Sequence, residues 1–168
     1  MLVASVAALS LFTGGCVQQA APDPAVIRDT APPWPAPRDA ISHIREAGVP
    51  ELPLDDRSDP WTLTITVAID GTPVEVPAYI GVDRPRAVQA PLHTHDDTGT
   101  VWLEGRGNRD VTLADFFVLW GVRFSDTCLG NACGRVRVTA DGKPLTGPAA
   151  STVLRGIGRL DVAVASQP

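Results

Sequence analysis

Polar and apolar residues alternate along residues 62–69, which read Thr-Leu-Thr-Ile-Thr-Val-Ala-Ile. A period of two places successive side chains on opposite faces of an extended chain, so this pattern predicts a strand with one buried face. Asp70-Gly71 follows, and an Asp-Gly pair before a second apolar stretch at residues 74–76 is typical of a β-hairpin. The pattern therefore predicts a hairpin near the start of a folded domain.

Three later segments have the same strand character, and one is followed by a second turn of the same kind. Asp141-Gly142 follows the segment at residues 135–139 and predicts another hairpin. The predicted strands are residues 100–104, 135–139 and 160–164.

One segment, residues 113–120, has the pattern of a helix. Thr112 stands where an N-cap is expected, and Gly121 stands where helices commonly end. The spacing predicts that one face packs on a sheet, formed by Leu113, Phe116, Phe117 and Trp120. The order of elements predicts an α+β fold, a small β-grasp-like sheet with one packed helix, and the alternative is a β-sandwich with one helix.

The first 15 residues carry no charge, and residues 2–12 form an apolar run. This run is shorter than the roughly 20 residues that a membrane-spanning helix needs, and it is typical of a signal peptide. It ends in Thr-Gly-Gly directly before Cys16, which resembles the bacterial lipobox, where the cysteine sulfur is acylated. We predict a signal peptide at residues 1–15 and a lipid on Cys16, with palmitate as a typical acyl chain. The alternatives are a plain secretory signal with an incidental cysteine and a short buried helix.

Prolines are concentrated between residues 17 and 40, where large apolar side chains are few. Such a composition favours an extended, partly stiff spacer. We therefore predict a lipidated, Pro-rich tether over residues 16–59, with a short helix within residues 38–48, and a globular domain over residues 60–168. Trp34 is either exposed in this tether or docked on the domain.

Composition and charge limit the classes of function. The chain has 168 residues, 44% of them hydrophobic, which is enough for the core of one domain, and a net charge of −5. Its Lys and Arg residues occur singly, so a nucleic-acid partner is not expected. The chain contains neither a Gly-x-Ser-x-Gly elbow, nor a phosphate-binding glycine loop, nor His-Glu-x-x-His, and we predict a non-catalytic protein.

Two cysteines remain besides Cys16, namely Cys128 and Cys133, with Gly and Asn between them. In an oxidising compartment outside the cytoplasm, this spacing favours a disulfide that closes a small loop. The alternative is a thiolate pair that binds zinc or copper.

Two of the three histidines lie in the segment Leu-His-Thr-His-Asp-Asp-Thr-Gly at residues 92–99. In an extended chain His93 and His95 project to the same side, with Asp96 next to them. Imidazole and carboxylate ligands suit Zn²⁺ or Cu²⁺. Further ligands have to come from elsewhere in the chain, and the candidates are Glu104, His43 and Asp126. The alternative is that the acidic pair forms only a turn and the histidines order a loop.

Residues 92–104 and 112–122 together resemble an uncharacterised family of secreted and membrane-anchored bacterial proteins. Its members show L-H-T-H-D-x-S-G-x-x-H-x-E, then T-L-G-x-F-F-x-x-W-G, and the resemblance covers about residues 60–165. The histidine-rich members imply metal affinity. In this chain Trp102 stands in place of their third histidine, and residues 61–63 stand where members often have a His-x-His run.

Together these features predict a cell-envelope lipoprotein, anchored in the membrane by lipid on its extracytoplasmic face. We expect a non-catalytic binding module that holds Zn or Cu through His93 and His95. A scaffold or protein-interaction domain without metal is the alternative, and an extracytoplasmic enzyme is the third hypothesis.

Overall fold

The computed structural model describes residues 23–166, so the predicted signal peptide and Cys16 lie outside the described residues. Two α-helices are described, α1 (Ala40–Glu46) and α2 (Leu113–Trp120), together with a short 3₁₀ helix at Ala149–Ser151. None of the helices in this part of the chain is both long and apolar enough to span a bilayer. The strands are β1 (Leu52–Pro53), β2 (Trp61–Ile69), β3 (Thr72–Val74), β4 (Val82–Asp83), β5 (Val88–Gln89), β6 (Leu92–Thr94), β7 (Thr100–Leu103), β8 (Cys128–Leu129), β9 (Ala132–Ala140), β10 (Lys143–Pro144) and β11 (Arg159–Ser166).

Eight of these strands form one mixed sheet, in the order β10-β9-β11-β2-β7-β6. Strand β3 pairs with the end of β2, and β8 pairs with the start of β9. The long strands β2 and β11 run parallel, whereas the other pairs are antiparallel. A second, smaller sheet has the order β1-β5-β4. The predicted α+β fold, a β-rich sheet with a packed helix, is confirmed.

Helix α2 has the predicted bounds because both of its ends are specified locally. The Thr112 hydroxyl accepts a hydrogen bond from Asp115 N–H, and the Asp115 carboxylate accepts one from Thr112 N–H at 2.8 Å. Gly121 ends the helix with φ +69°, a left-handed conformation that glycine adopts without strain. The predicted apolar face is buried against the sheet at Leu113, Phe116, Phe117 and Trp120.

The N-terminal segment differs from its prediction as a tether outside the domain. Trp34 is only 2% exposed, and its ring meets Trp120 edge-to-face with centroids 5.7 Å apart. The indole N–H of Trp120 donates to the Trp34 carbonyl at 2.8 Å. A Cβ at Gly130 would collide with the Trp34 ring, so glycine is required for this close packing. The proline-rich chain of residues 23–39 forms no regular helix or strand, and it is docked on the domain.

Further contacts fasten the same segment to the end of α2. The Arg28 guanidinium donates to the carbonyls of Trp120 at 2.7 Å and Gly121 at 3.1 Å, which satisfies acceptors that a helix end leaves free. Ile44 and Leu52 are buried in the interior of the domain, Ile44 in the same core as the sheet residues. The folded unit therefore includes residues well before the predicted boundary at residue 60.

The predicted disulfide is present between Cys128 and Cys133. These residues face each other across the β8–β9 pair, with Gly130 and Asn131 in the turn between the strands. The bond therefore closes a tight hairpin at the beginning of β9.

Replacing Trp34 tests whether the N-terminal segment belongs to the fold. We expect Trp34→Ala to lower the free energy of unfolding by about 3–5 kcal/mol, because it removes a large buried ring and leaves a cavity. Denaturant unfolding followed by circular dichroism measures this loss. The control is Val26→Ala, in the same segment but 71% exposed, for which we expect a change within about 0.5 kcal/mol. Equal, small effects of both substitutions would contradict the docked arrangement.

Candidate metal site

The β6–β7 hairpin brings the candidate ligands onto one face. His93 on β6 is the direct partner of Trp102 on β7. His95 lies two residues after His93, and Glu104 lies two residues after Trp102. Because alternate residues of an extended chain point to the same side, all four side chains share one face of the hairpin. The opposite face of the hairpin is apolar and belongs to the core, with Leu92, Val101 and Leu103 fully buried.

Three side chains of this face form a compact cluster of ligand atoms. One ligand atom from each of His93, His95 and Glu104 lies within 4.8 Å of the other two. His93 Nε2 is 3.5 Å from Glu104 Oε2, and the two imidazole centroids are 4.9 Å apart at 82°. His93 and Glu104 are buried, at 0% and 3% exposed, whereas His95 is exposed. The cluster therefore has a buried floor and one side open to solvent.

A backbone hydrogen bond fixes the tautomer of His93. Its Nδ1 lies 2.9 Å from the Ala90 carbonyl, and because a carbonyl only accepts, the hydrogen must be on Nδ1. Nε2 then presents a bare lone pair toward Glu104. This buried nitrogen has no hydrogen-bond partner among residues 23–166. Buried polar atoms without a partner are rare in folded proteins, and a nitrogen in this position is suited to bind an ion.

Burial also opposes charge on the two enclosed groups. It lowers the pKa of His93 from its ordinary value of 6.5 to about 4, although the Ala90 hydrogen bond acts in the opposite direction. Burial likewise raises the pKa of Glu104. At 3.5 Å the two groups are close enough for an ion pair, but these shifts disfavour the charged form of each. Without a cation, we infer a neutral imidazole facing a carboxyl group whose ionisation is penalised.

The strand that carries His93 is held at both edges. Beyond β6, the residue 79–81 segment pairs with Thr94, whose N–H donates to the Ile80 carbonyl and whose carbonyl accepts from Tyr79 N–H. Gly81 permits this approach, because a Cβ there would lie 2.7 Å from the Leu92 carbonyl oxygen. Since β7 occupies the other edge, His93 has little freedom to move.

An aromatic ring borders the open side of the cluster. The Trp102 ring meets His95 edge-to-face with centroids 5.4 Å apart, and Trp102 is half-buried. Trp102 therefore lies beside the cluster, where it supplies an aromatic ring and no ligand atom.

The structure brings together three of the four predicted metal ligands and separates Asp96 from them. The Asp96 carboxylate accepts hydrogen bonds from the N–H and hydroxyl of Thr98, so it forms the turn that was the alternative prediction. Two further candidates are also elsewhere. His43 Nδ1 contacts the Val118 carbonyl, and the Asp126 carboxylate accepts from Ala149 N–H.

Sequence reasoning missed one charged neighbour of the cluster. The positive charge of Arg57 lowers the pKa of both His93 and Glu104, although burial is the larger influence on each. Nothing in the spacing of the sequence connects Arg57 with the histidines, because its loop reaches them only through tertiary packing.

Comparisons with protein-family models, curated proteins and solved structures found no match to this chain.

The tautomer and charge of His93 can be measured directly. We expect the metal-free protein at pH 7 to carry the His93 proton on Nδ1, with the ring neutral until the pH approaches 4, because burial disfavours the imidazolium. Long-range ¹H–¹⁵N correlation spectra distinguish the two tautomers and the cation. A ring with its proton on Nε2, or one that titrates near pH 6.5, would contradict this assignment.

The lowered pKa of His93 makes the free energy of unfolding depend on pH. Between pH 6.5 and 4 the unfolded chain binds the His93 proton while the folded protein does not. This group's stabilising contribution is therefore complete above pH 6.5 and falls as the pH is lowered through that window. The raised pKa of Glu104 acts in the opposite sense. Acid unfolding of His93→Gln beside the parent protein isolates the histidine contribution.

Proposed function

We propose that this domain binds one divalent transition-metal ion through His93, His95 and Glu104. The observation that carries this proposal is the buried Nε2 of His93, which faces the other two ligand groups without a hydrogen-bond partner in the described chain. A metal ion would accept that lone pair and neutralise the carboxylate. It would thus remove the cost of a buried nitrogen without a partner and the cost of a buried carboxylate without a countercharge.

The ligand types favour Zn²⁺, with Cu²⁺ as the second candidate. Two imidazoles and a carboxylate are a known zinc ligand set, and imidazole also suits Cu²⁺. Around a tetrahedral zinc with bonds of about 2.0–2.1 Å, ligand atoms are roughly 3.3 Å apart. The 3.5 Å between His93 Nε2 and Glu104 Oε2 is already close to this separation. The exposed His95 ring can supply the remaining movement.

The surroundings of His93 support the same proposal. Metal-bound histidines usually donate their other ring N–H to a carbonyl or carboxylate, which orients the ring. The Ala90 carbonyl accepts this hydrogen bond from Nδ1–H. The role we propose is metal binding, in which each titratable side chain of the cluster serves as a ligand.

Metal titration with single-ligand variants tests the site. We expect the purified domain to bind one Zn²⁺. Loss of a residue that only hydrogen-bonds a metal ligand weakens binding roughly 10- to 100-fold, and we expect His93→Gln or Glu104→Gln, which remove a ligand itself, to weaken it by more than that. Calorimetry with an added competing chelator measures the affinity. Asp96→Asn is the matched control, because Asp96 adjoins His95 in sequence but lies outside the cluster. The alternative, a scaffold without metal, predicts no binding by the parent domain.

We also propose that the protein is a lipoprotein of the cell envelope, anchored in the membrane through Cys16. The uncharged leader and the small residues before Cys16 support this location. The Cys128–Cys133 disulfide is consistent with it, because such bonds persist in oxidising compartments.

Replacing the acylated cysteine tests the anchor. We expect the full chain to enter the membrane fraction and to incorporate a palmitate analogue, and Cys16→Ser to lose both properties, because the thiol is the attachment atom. Fractionation and labelling measure the two effects. Cys133→Ser is the control, since it removes a different thiol and should leave the labelling intact. A parent chain without label would contradict the proposal.

A further inference from the structure

The three protein ligands leave room for a fourth group on the proposed metal. Zinc is four-coordinate in most protein sites, and a site with three protein ligands keeps one position for water or an external molecule. His93 and Glu104 form the buried floor of the cluster, so the fourth position lies toward the open side near the exposed His95. A ligand at this position depends on the proposed metal-binding function.

A loop before β2 places a positive charge beside this cluster. The Ser58 carbonyl accepts a hydrogen bond from Gly105 N–H at 2.7 Å, directly after Glu104. The Asp56 carbonyl accepts one from the Gln89 side chain at 3.0 Å. These two bonds flank Arg57 and hold its backbone against the Glu104 end of the site.

The Arg57 side chain is exposed and is not used by the fold. Within residues 23–166 its guanidinium makes neither a salt bridge nor a side-chain hydrogen bond. The carboxylate of the adjacent Asp56 accepts hydrogen bonds from Ser58 rather than from Arg57. A guanidinium without a partner carries an unpaired positive charge, so beside a metal position it attracts an anion.

We propose that the metal-loaded site binds a small carboxylate ligand, with one oxygen on the fourth metal position and the other on the Arg57 guanidinium. A carboxylate has two oxygen atoms that can contact two different cationic groups, whereas a monatomic anion offers only one atom. The half-buried Trp102 ring borders the open side. It offers an apolar surface to the carbon atoms attached to the carboxylate.

Cobalt provides a visible probe of this fourth position. Co²⁺-loaded protein is titrated with sodium acetate, and sodium perchlorate keeps the ionic strength constant. We expect a saturable change in the visible absorption bands of the metal. Arg57→Gln should weaken acetate binding by about tenfold, because it removes a charge-assisted hydrogen bond, and should not weaken Co²⁺ binding, because Arg57 supplies no ligand atom to the metal and its loss removes a repelling charge. The matched control is Arg135→Gln, an exposed arginine on β9 outside the β6–β7 hairpin.

The possible outcomes separate the two proposals. A cobalt spectrum that acetate changes in the parent protein and in Arg135→Gln, but much more weakly in Arg57→Gln, supports the carboxylate site. A cobalt spectrum that acetate leaves unchanged, or that responds equally in Arg57→Gln, overturns the carboxylate site while metal binding stands. Failure of the parent protein to bind Co²⁺ or Zn²⁺ overturns both.

Discussion

Strand β6 has hydrogen-bonded neighbours along both edges, β7 on one and the residue 79–81 segment on the other. Its apolar face belongs to the core, so a one-residue shift in register would remove Leu92 from the core and turn the polar His93 ring toward it. The position of His93 depends on this enclosure. A histidine on an exposed edge strand would satisfy both ring nitrogens with water, whereas here the chain supplies one acceptor and leaves the second nitrogen facing Glu104.

The N-terminal segment contributes indirectly to the same enclosure. Trp34 and Arg28 bind the far end of α2, where the last turn of the helix would otherwise leave carbonyl groups free. Helix α2 in turn contacts β6 as well as α1. The proline-rich chain is therefore part of the support of the site, and it stabilises the domain through side-chain burial without forming a long helix or strand of its own.

Local sequence signals predicted the features that depend on neighbouring residues. The bounds of α2, the two Asp-Gly turns and the shared side of His93 and His95 all follow from short-range geometry.

Features that depend on contacts between distant parts of the chain could not be predicted from local sequence. Glu104 and His43 were both candidates for the third position of the cluster, and only the register of β6 against β7 shows that Glu104 lies beside His93. The placement of Arg57 required knowledge of how a loop crosses that hairpin. The docking of residues 28–39 was hidden because a proline-rich composition excludes regular structure but does not exclude burial, and Trp34 was the one residue that indicated it.

The unpaired nitrogen of His93 needs a partner, and a buried water, a proton or a metal ion can each supply one. A protonated Glu104 would donate to Nε2, but an O–H···N bond requires the heavy atoms to be within about 3 Å, and the observed separation is 3.5 Å. An imidazolium would need charge in a place where burial lowers its pKa to about 4. A metal ion avoids both difficulties, because it spans a longer gap between the ligand atoms and is coordinated by the deprotonated forms. We propose a metal ion rather than a proton because a proton would be shared by His93 and Glu104 alone, whereas His95 lies beside them, with its ring centroid 4.9 Å from that of His93, and a metal ion uses such a further donor.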